Sequence, residues 1–185
     1  MNIRTQTKHS RFLSLVLRHK PEEIGLTLGD GGWIEVDLLL AAMKTYGRAL
    51  DRADLEAVVA NNDKQRFAFS EDGKQIRANQ GHSVAVDLHL EAATPPETLW
   101  HGTIAASLPA IKSQGVLKGK RHAVHLSPDL ETAIRVGARR GKPVVLVIRS
   151  GDMGRDGHLF QRSANGVWLT EHVPPRYIDW TATRK

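Results

Sequence analysis

A chain of 185 residues is long enough to bury one substantial core or two small ones. Apolar residues make up 41% and charged residues 25%, and no stretch approaches the ~18 apolar residues of a membrane span. The absence of cysteine excludes disulfides, thiolate metal sites and a cysteine nucleophile, and fits a reducing cytoplasm. Met1 to Arg11 is polar and lacks the apolar region of a signal peptide. The net charge of +6 is unevenly placed: residues 1–90 hold 12 Lys and Arg against 12 Asp and Glu, and residues 91–185 hold 14 against 8. Seven of those cations fall between Lys118 and Lys142. A polyanionic partner or phosphorylated ligand would explain them, and so would a solvated basic surface.

The apolar spacing of Phe12, Leu13, Leu15, Val16 and Leu17 predicts a helix over Thr7 to His19, stopped by Pro21. Asp30-Gly31-Gly32 reads as a turn before Trp33-Ile34-Glu35-Val36. Asp37 is placed to cap a second helix with Leu39, Ala42, Met43 and Tyr46 on one face, ended by Gly47. Asp51 and Asp54 resemble a capping pair before a third helix marked by Leu55, Val58 and Val59. Arg66 to Ser70 and Gln75 to Ala78 read as a hairpin around Glu71-Asp72-Gly73. Phe67 and Phe69 share one of its faces, which turns Arg66 and Ala68 to the other. Three helices followed by a hairpin is the pattern of a winged helix-turn-helix. Val84, Val86, Leu88 and Leu90 alternate and predict a further strand.

Glu91 to Thr98, with Pro95-Pro96, reads as a linker between residues 1–92 and 97–181. Beyond it, strands are expected at Leu99 to Thr103, Val124 to Leu126, Val144 to Ile148, Val167 to Thr170 and Tyr177 to Trp180. Helices are expected from Ser107, as cap, to Gln114, and from Ser127-Pro128-Asp129 to about Arg140. The fold class is α+β, with a second half of mixed character.

No Walker phosphate loop, Rossmann glycine fingerprint or Gly-x-Ser-x-Gly elbow is present. His122 and His125 form a lone His-x-x-His, and no metal is expected. Arg18, Arg66 and Arg121 stand out, with His19 beside the first. A guanidinium grips phosphate with a planar fork and stays charged at any working pH. His101-Gly102-Thr103 at a strand end could admit a ligand to the backbone, and could equally be an ordinary turn. Asn79-Gln80-Gly81-His82-Ser83 is a polar cluster that also reads as a plain loop.

Taken together, these stretches change the reading. Leu17-Arg18-His19-Lys20-Pro21, Gly32-Trp33, Lys64-Gln65-Arg66-Phe67 and Ile76 to Ser83 are the matching segments of the first half. His101-Gly102-Thr103, Arg121 to Ser127 and Asn165 to Thr170 follow in the second. In this order the chain resembles the RNA 2′-phosphotransferase family (KptA, the tRNA 2′-phosphotransferases) over nearly its whole length. The resemblance implies a winged-helix N-terminal lobe, an ADP-ribosyltransferase-like C-terminal lobe and an active site in the cleft between them.

It also implies the reaction: an RNA 2′-phosphate attacks the nicotinamide ribose of NAD, and nicotinamide leaves. The ribose O2″ then takes the phosphoryl group, giving RNA with a free 2′-OH and ADP-ribose 1″,2″-cyclic phosphate. On this reading Arg18, Arg66 and Arg121 clamp the 2′-phosphate and His19 joins them as catalytic. His101, His125 and Val167 match the NAD signature, and Gly102, Thr103 and Ser127 line the same pocket. Ser127 and Asp129 begin a helix whose amides favour the pyrophosphate, with Asp129 better suited to a ribose or to capping. Arg139 is assigned to the pyrophosphate, and Gln80 and His82 to the RNA. The partners expected are NAD and a 2′-phosphorylated RNA, tRNA-like or other, bound by a monomer. Two alternatives stay open: an ADP-ribosyltransferase of nucleic-acid phosphates, and a non-catalytic winged-helix protein binding RNA and NAD.

Overall fold

The computed structural model describes residues 2–62 and 65–184. The chain divides into two compact units between His89 and Leu90.

In the first unit, helix α1 spans Ile3–Val16 and is capped by Asn2, whose side chain accepts from the Thr5 amide at 2.8 Å. It therefore starts earlier than the apolar spacing predicts, because a side-chain cap and not the first apolar residue sets the boundary. It also ends earlier, with His19 in the turn before Pro21. A single turn of 3₁₀ helix, Pro21–Ile24, and another, Asp30–Gly32, lead into strand β1, Ile34–Glu35. Helix α2 spans Val36–Thr45 and α3 spans Arg52–Ala60. The N-cap of α2 is Glu35 and not Asp37, and no side chain caps it. The Glu35 carboxylate is taken up across the sheet, accepting from Gln75 Nε2 at 2.7 Å. Asp51 does cap α3, accepting from the Asp54 amide at 2.7 Å.

Strands β2, Phe67–Phe69, and β3, Gln75–Ala78, form the expected antiparallel hairpin, and β1 pairs with the other edge of β3. Leu13, Leu17, Leu39, Met43, Leu55 and Ile76 are fully buried between helices and sheet. Each such side chain contributes about 1.5–3 kcal/mol of hydrophobic stabilisation. The strand predicted over Val84 to Leu90 does not form. Its residues alternate between half-buried and exposed, but no neighbouring strand supplies a ladder, and His89 sits at φ +51°. An alternating pattern reports an extended chain on a surface, which does not require sheet partners.

In the second unit the strands are β4 (Leu99–Ile104), β5 (Val116–Leu117), β6 (Val124–Leu126), β7 (Pro143–Ile148), β8 (Gln161–Arg162), β9 (Trp168–Thr170), β10 (His172–Val173) and β11 (Ile178–Arg184). The helices are α4 (Leu108–Gln114), α5 (Leu130–Gly137) and α6 (Ser150–Arg155). Continuously apolar β7 is the central strand of an antiparallel β11-β7-β4 sheet, and β6-β9-β8 form a second sheet. An isolated bridge joins the two: Ser127 and Trp100 exchange main-chain hydrogen bonds of 2.8 and 3.0 Å. Ser107 occupies the N-cap of α4 without a side-chain bond. The cap of α5 is Asp129, accepting from the Thr132 amide at 2.7 Å, because Ser127 is held in its bridge; the helix stops at Gly137, short of Arg140. Leu99, Leu126, Leu146, Ile148, Met153 and Phe160 form the core.

Candidate functional site

The first unit assembles Arg18, His19 and Arg66 at the point where α1 gives way to a turn. The amides of His19 and Lys20 both donate to the Leu15 carbonyl at 2.9 Å, so the helix unwinds just as these residues are reached. Arg18 is half-buried, with its guanidinium carbon 5.9 Å from the centre of the Phe67 ring. Its Nη2 donates to the Arg66 carbonyl at 3.2 Å. Gly81, at φ +87°, follows the outline of this guanidinium: a Cβ there would lie 3.6 Å from Arg18 Nη1.

Arg66 precedes β2. Its Nη1 donates to the side-chain oxygen of buried Asn62 at 2.8 Å, and its carbonyl also accepts from the Asn79 amide at 2.9 Å. Asn79 is buried too, and its side-chain amide donates to the Gln65 carbonyl at 2.6 Å. Gln65 sits at φ +39°, a conformation that side-chain-bearing residues rarely adopt, and the Asn79 bond holds it there. Lys64 lies outside the described residues.

Exposed His19 meets Ser83 Oγ through Nδ1 at 2.9 Å, and the Ser83 amide donates to the Arg18 carbonyl at 2.8 Å. Gln80 is half-buried in the same loop. His82, assigned to RNA, is 1% exposed, and a Cβ on Gly32 would lie 3.3 Å from its Nε2.

The second unit brings together His101, Arg121 and His125. His101 lies on β4 and donates from Nδ1 to the His125 carbonyl at 3.2 Å. Burial pushes its pKa below 6.5, and the charges of Arg121 and Arg140 push the same way, against the bond to His125. His101 is therefore a neutral imidazole with Nε2 as an acceptor. Arg121 Nη1 donates to His125 Nδ1 at 3.4 Å, which makes Nε2 the protonated nitrogen of His125. Loss of hydration, then Arg140 and Arg139, lower the Arg121 pKa, yet a guanidinium stays cationic. The cations Arg121, Arg139 and Arg140 are thus close enough to repel one another, and an anion among them would relieve that repulsion.

Other assigned residues have structural duties. Gly102 is a close-approach glycine: a Cβ on it would stand 1.9 Å from the Ala133 carbonyl oxygen and 2.8 Å from the Gly137 nitrogen of α5. Thr103 and Ser127 are buried, Asp129 caps α5, and the amide of half-buried Val167 donates to the Ser163 hydroxyl oxygen at 3.2 Å. Reasoning from the residues alone passed over Asn62 and Arg140, and did not assign Asn79 or Ser83 individual roles. The Asn79 and Ser83 contacts lie within the polar Asn79-to-Ser83 stretch, whereas Asn62 carries no local signal.

Each unit thus places an arginine beside a histidine, the pairing that phosphate binding and proton transfer call for. Residues 4–172 match the model of the RNA 2′-phosphotransferase, Tpt1 / KptA family. The chain is 58% identical over 175 residues to the probable RNA 2′-phosphotransferase of Streptomyces coelicolor, covering 95% of each chain. It is 54% identical to a protein of the same name from Trichormus variabilis, over 94% of this chain and 95% of that one. Against one from Pseudomonas aeruginosa the identity is 53%, over 96% and 98%. The chain belongs to the RNA 2′-phosphotransferase family.

Proposed function

We propose that this protein removes an internal 2′-phosphate from RNA by transferring it to the ADP-ribose portion of NAD, through an ADP-ribosylated 2′-phosphate. The observation that carries the reading is the Arg18–Arg66 pair, locked together by the bond from Arg18 Nη2 to the Arg66 carbonyl. Two fixed guanidiniums beside an imidazole suit a phosphoryl centre whose oxygens gain charge in the transition state. The reading also takes the first unit, three helices and a hairpin, as a winged helix, and the second as an ADP-ribosyltransferase-like fold.

The second unit fits a dinucleotide. Neutral His101 offers an acceptor for a ribose hydroxyl, and Arg139 and Arg140, close enough to Arg121 to lower its pKa, suit a diphosphate. NAD supplies, when bound, the ribose carbon that accepts the phosphate and the hydroxyl that then attacks phosphorus. Arg18 and Arg66 hold the phosphate, His19 moves the proton between the attacking and departing oxygens, and Arg121 neutralises charge on the phosphoryl oxygens.

The test is incubation with NAD and a short RNA carrying one internal 2′-phosphate. Loss of the phosphate with release of nicotinamide and a cyclic ADP-ribose phosphate is the expected result. A permanent RNA–phosphate–ADP-ribose adduct would instead define an ADP-ribosyltransferase, and no nicotinamide release would leave a binding protein.

A further inference from the structure

We propose that Ser83 is the positioning residue of His19. Ser83 makes two separate contacts with consecutive residues at the end of α1: its hydroxyl meets His19 Nδ1 at 2.9 Å, and its amide donates to the Arg18 carbonyl at 2.8 Å. An exposed histidine on an unwound turn has two freely rotating side-chain torsions, and a hydroxyl on Nδ1 restricts both. The hydroxyl can serve either tautomer, accepting from Nδ1–H or donating to a bare Nδ1, so it holds the ring in place whichever nitrogen carries the proton. With Nδ1 engaged by Ser83, proton transfer at the phosphate falls to Nε2. Ser83 itself touches neither phosphate nor NAD in this assignment; it acts through the ring.

The chain geometry makes the idea separable from a packing role. In Ser83→Ala the main-chain bond to Arg18 survives, so Arg18 keeps its anchor while His19 loses the Ser83 hydroxyl from Nδ1. Ser83 is exposed, and the substitution opens no cavity. Ser83→Thr keeps the hydroxyl, and its extra methyl has solvent to occupy.

The inference rests on the proposed transfer reaction only for its kinetic part. Ser83→Ala should release nicotinamide at the wild-type rate and slow resolution of the RNA–phosphate–ADP-ribose species about tenfold, within the range that lost orientation carries. Ser83→Thr should restore the rate. Independently of turnover, ¹⁵N chemical shifts of the His19 ring in the full-length protein should report a hydrogen-bonded Nδ1 in wild type and lose that signature in Ser83→Ala. Equal slowing of both steps would overturn the proposal, as would ring shifts that Ser83→Ala leaves unchanged. If wild type releases no nicotinamide, the transfer reaction fails on its own terms, and the ring shifts alone decide the role of Ser83.

Discussion

Arg18 Nη2 donates to the main-chain carbonyl of Arg66 across 3.2 Å, joining two candidate phosphate ligands that stand 48 residues apart in the chain. The same carbonyl accepts from the Asn79 amide, so one oxygen ties the end of α1 to the β2–β3 hairpin. Replacing the Arg18 guanidinium therefore removes a phosphate ligand and a brace of Arg66 together. Arg18→Ala should lose more activity than the removal of one phosphate contact, about 10²–10³-fold, and should weaken the effect of a second change at Arg66. A double-mutant cycle on the transfer rate checks this; strictly additive losses would show that the brace is idle.

Asn79→Ala tests the support behind Arg66. It strips the Gln65 carbonyl of the buried Asn79 donor that lies 2.6 Å away. Loss of one such hydrogen bond, at a carbonyl that water can reach, costs about 0.5–1.5 kcal/mol. Urea unfolding should show that loss, together with reduced phosphate transfer. A variant as stable as wild type would place the Gln65 turn under other control.

Arg66→Lys and Arg121→Lys keep a charge and lose the planar fork. If the fork matches the transition state at phosphorus better than the ground state, the phosphoryl step should slow about 10²-fold and nicotinamide release much less. The two are separated by following nicotinamide and the RNA–phosphate–ADP-ribose species in one time course. Equal loss in both steps would mean uniform binding of the phosphate.

Gly102→Ala should unfold the second unit readily. Its Cβ would sit 1.9 Å from the Ala133 carbonyl oxygen, a backbone atom that cannot swing away. Overpacking of this kind costs about 3 kcal/mol. A large drop in thermal midpoint is expected, and NAD should not rescue it.

Two histidines should give stability opposite pH dependences. The pKa of His101 is lowered in the folded state, chiefly by burial, so its contribution is complete above 6.5 and fades as pH falls below that value. His89 is raised, chiefly by its 2.7 Å hydrogen bond to Asp30, with the charges of Asp30 and Asp87 adding to it. Its contribution is complete below 6.5 and fades as pH rises through the elevated folded value. Urea midpoints of His101→Gln and His89→Gln against wild type, from pH 5 to 9, should diverge in those opposite directions.

Much of this was written locally in the chain. The helix periodicities, the hairpin turn, the apolar run of β7 and the Asp51 cap each depend on residues within a few positions of one another, and the elements formed near where that pattern placed them, with α1 drawn back toward its Asn2 cap and α5 ending at Gly137. The turn that releases Arg18 and His19 did not, since the apolar spacing carries the helix to His19 and the chain leaves it after Val16. Short strands such as β5, β8 and β10 were not legible, because two residues show no period. The strand expected over Val84 to Leu90 failed because a strand needs a partner edge, which is not a property of the segment itself.

By itself, then, the sequence determined the chemical inventory: the arginines and histidines, the order of the matching segments and the class of ligand such groups suit. Tertiary structure alone decided their employment. It turned His82 inward, used Gly102 for a helix contact, and set Ser83 and Asn79 behind His19 and Arg66. Those assignments depend on which atoms meet across dozens of residues, and the burial and hydrogen bonds that fix them arise only when the chain has folded.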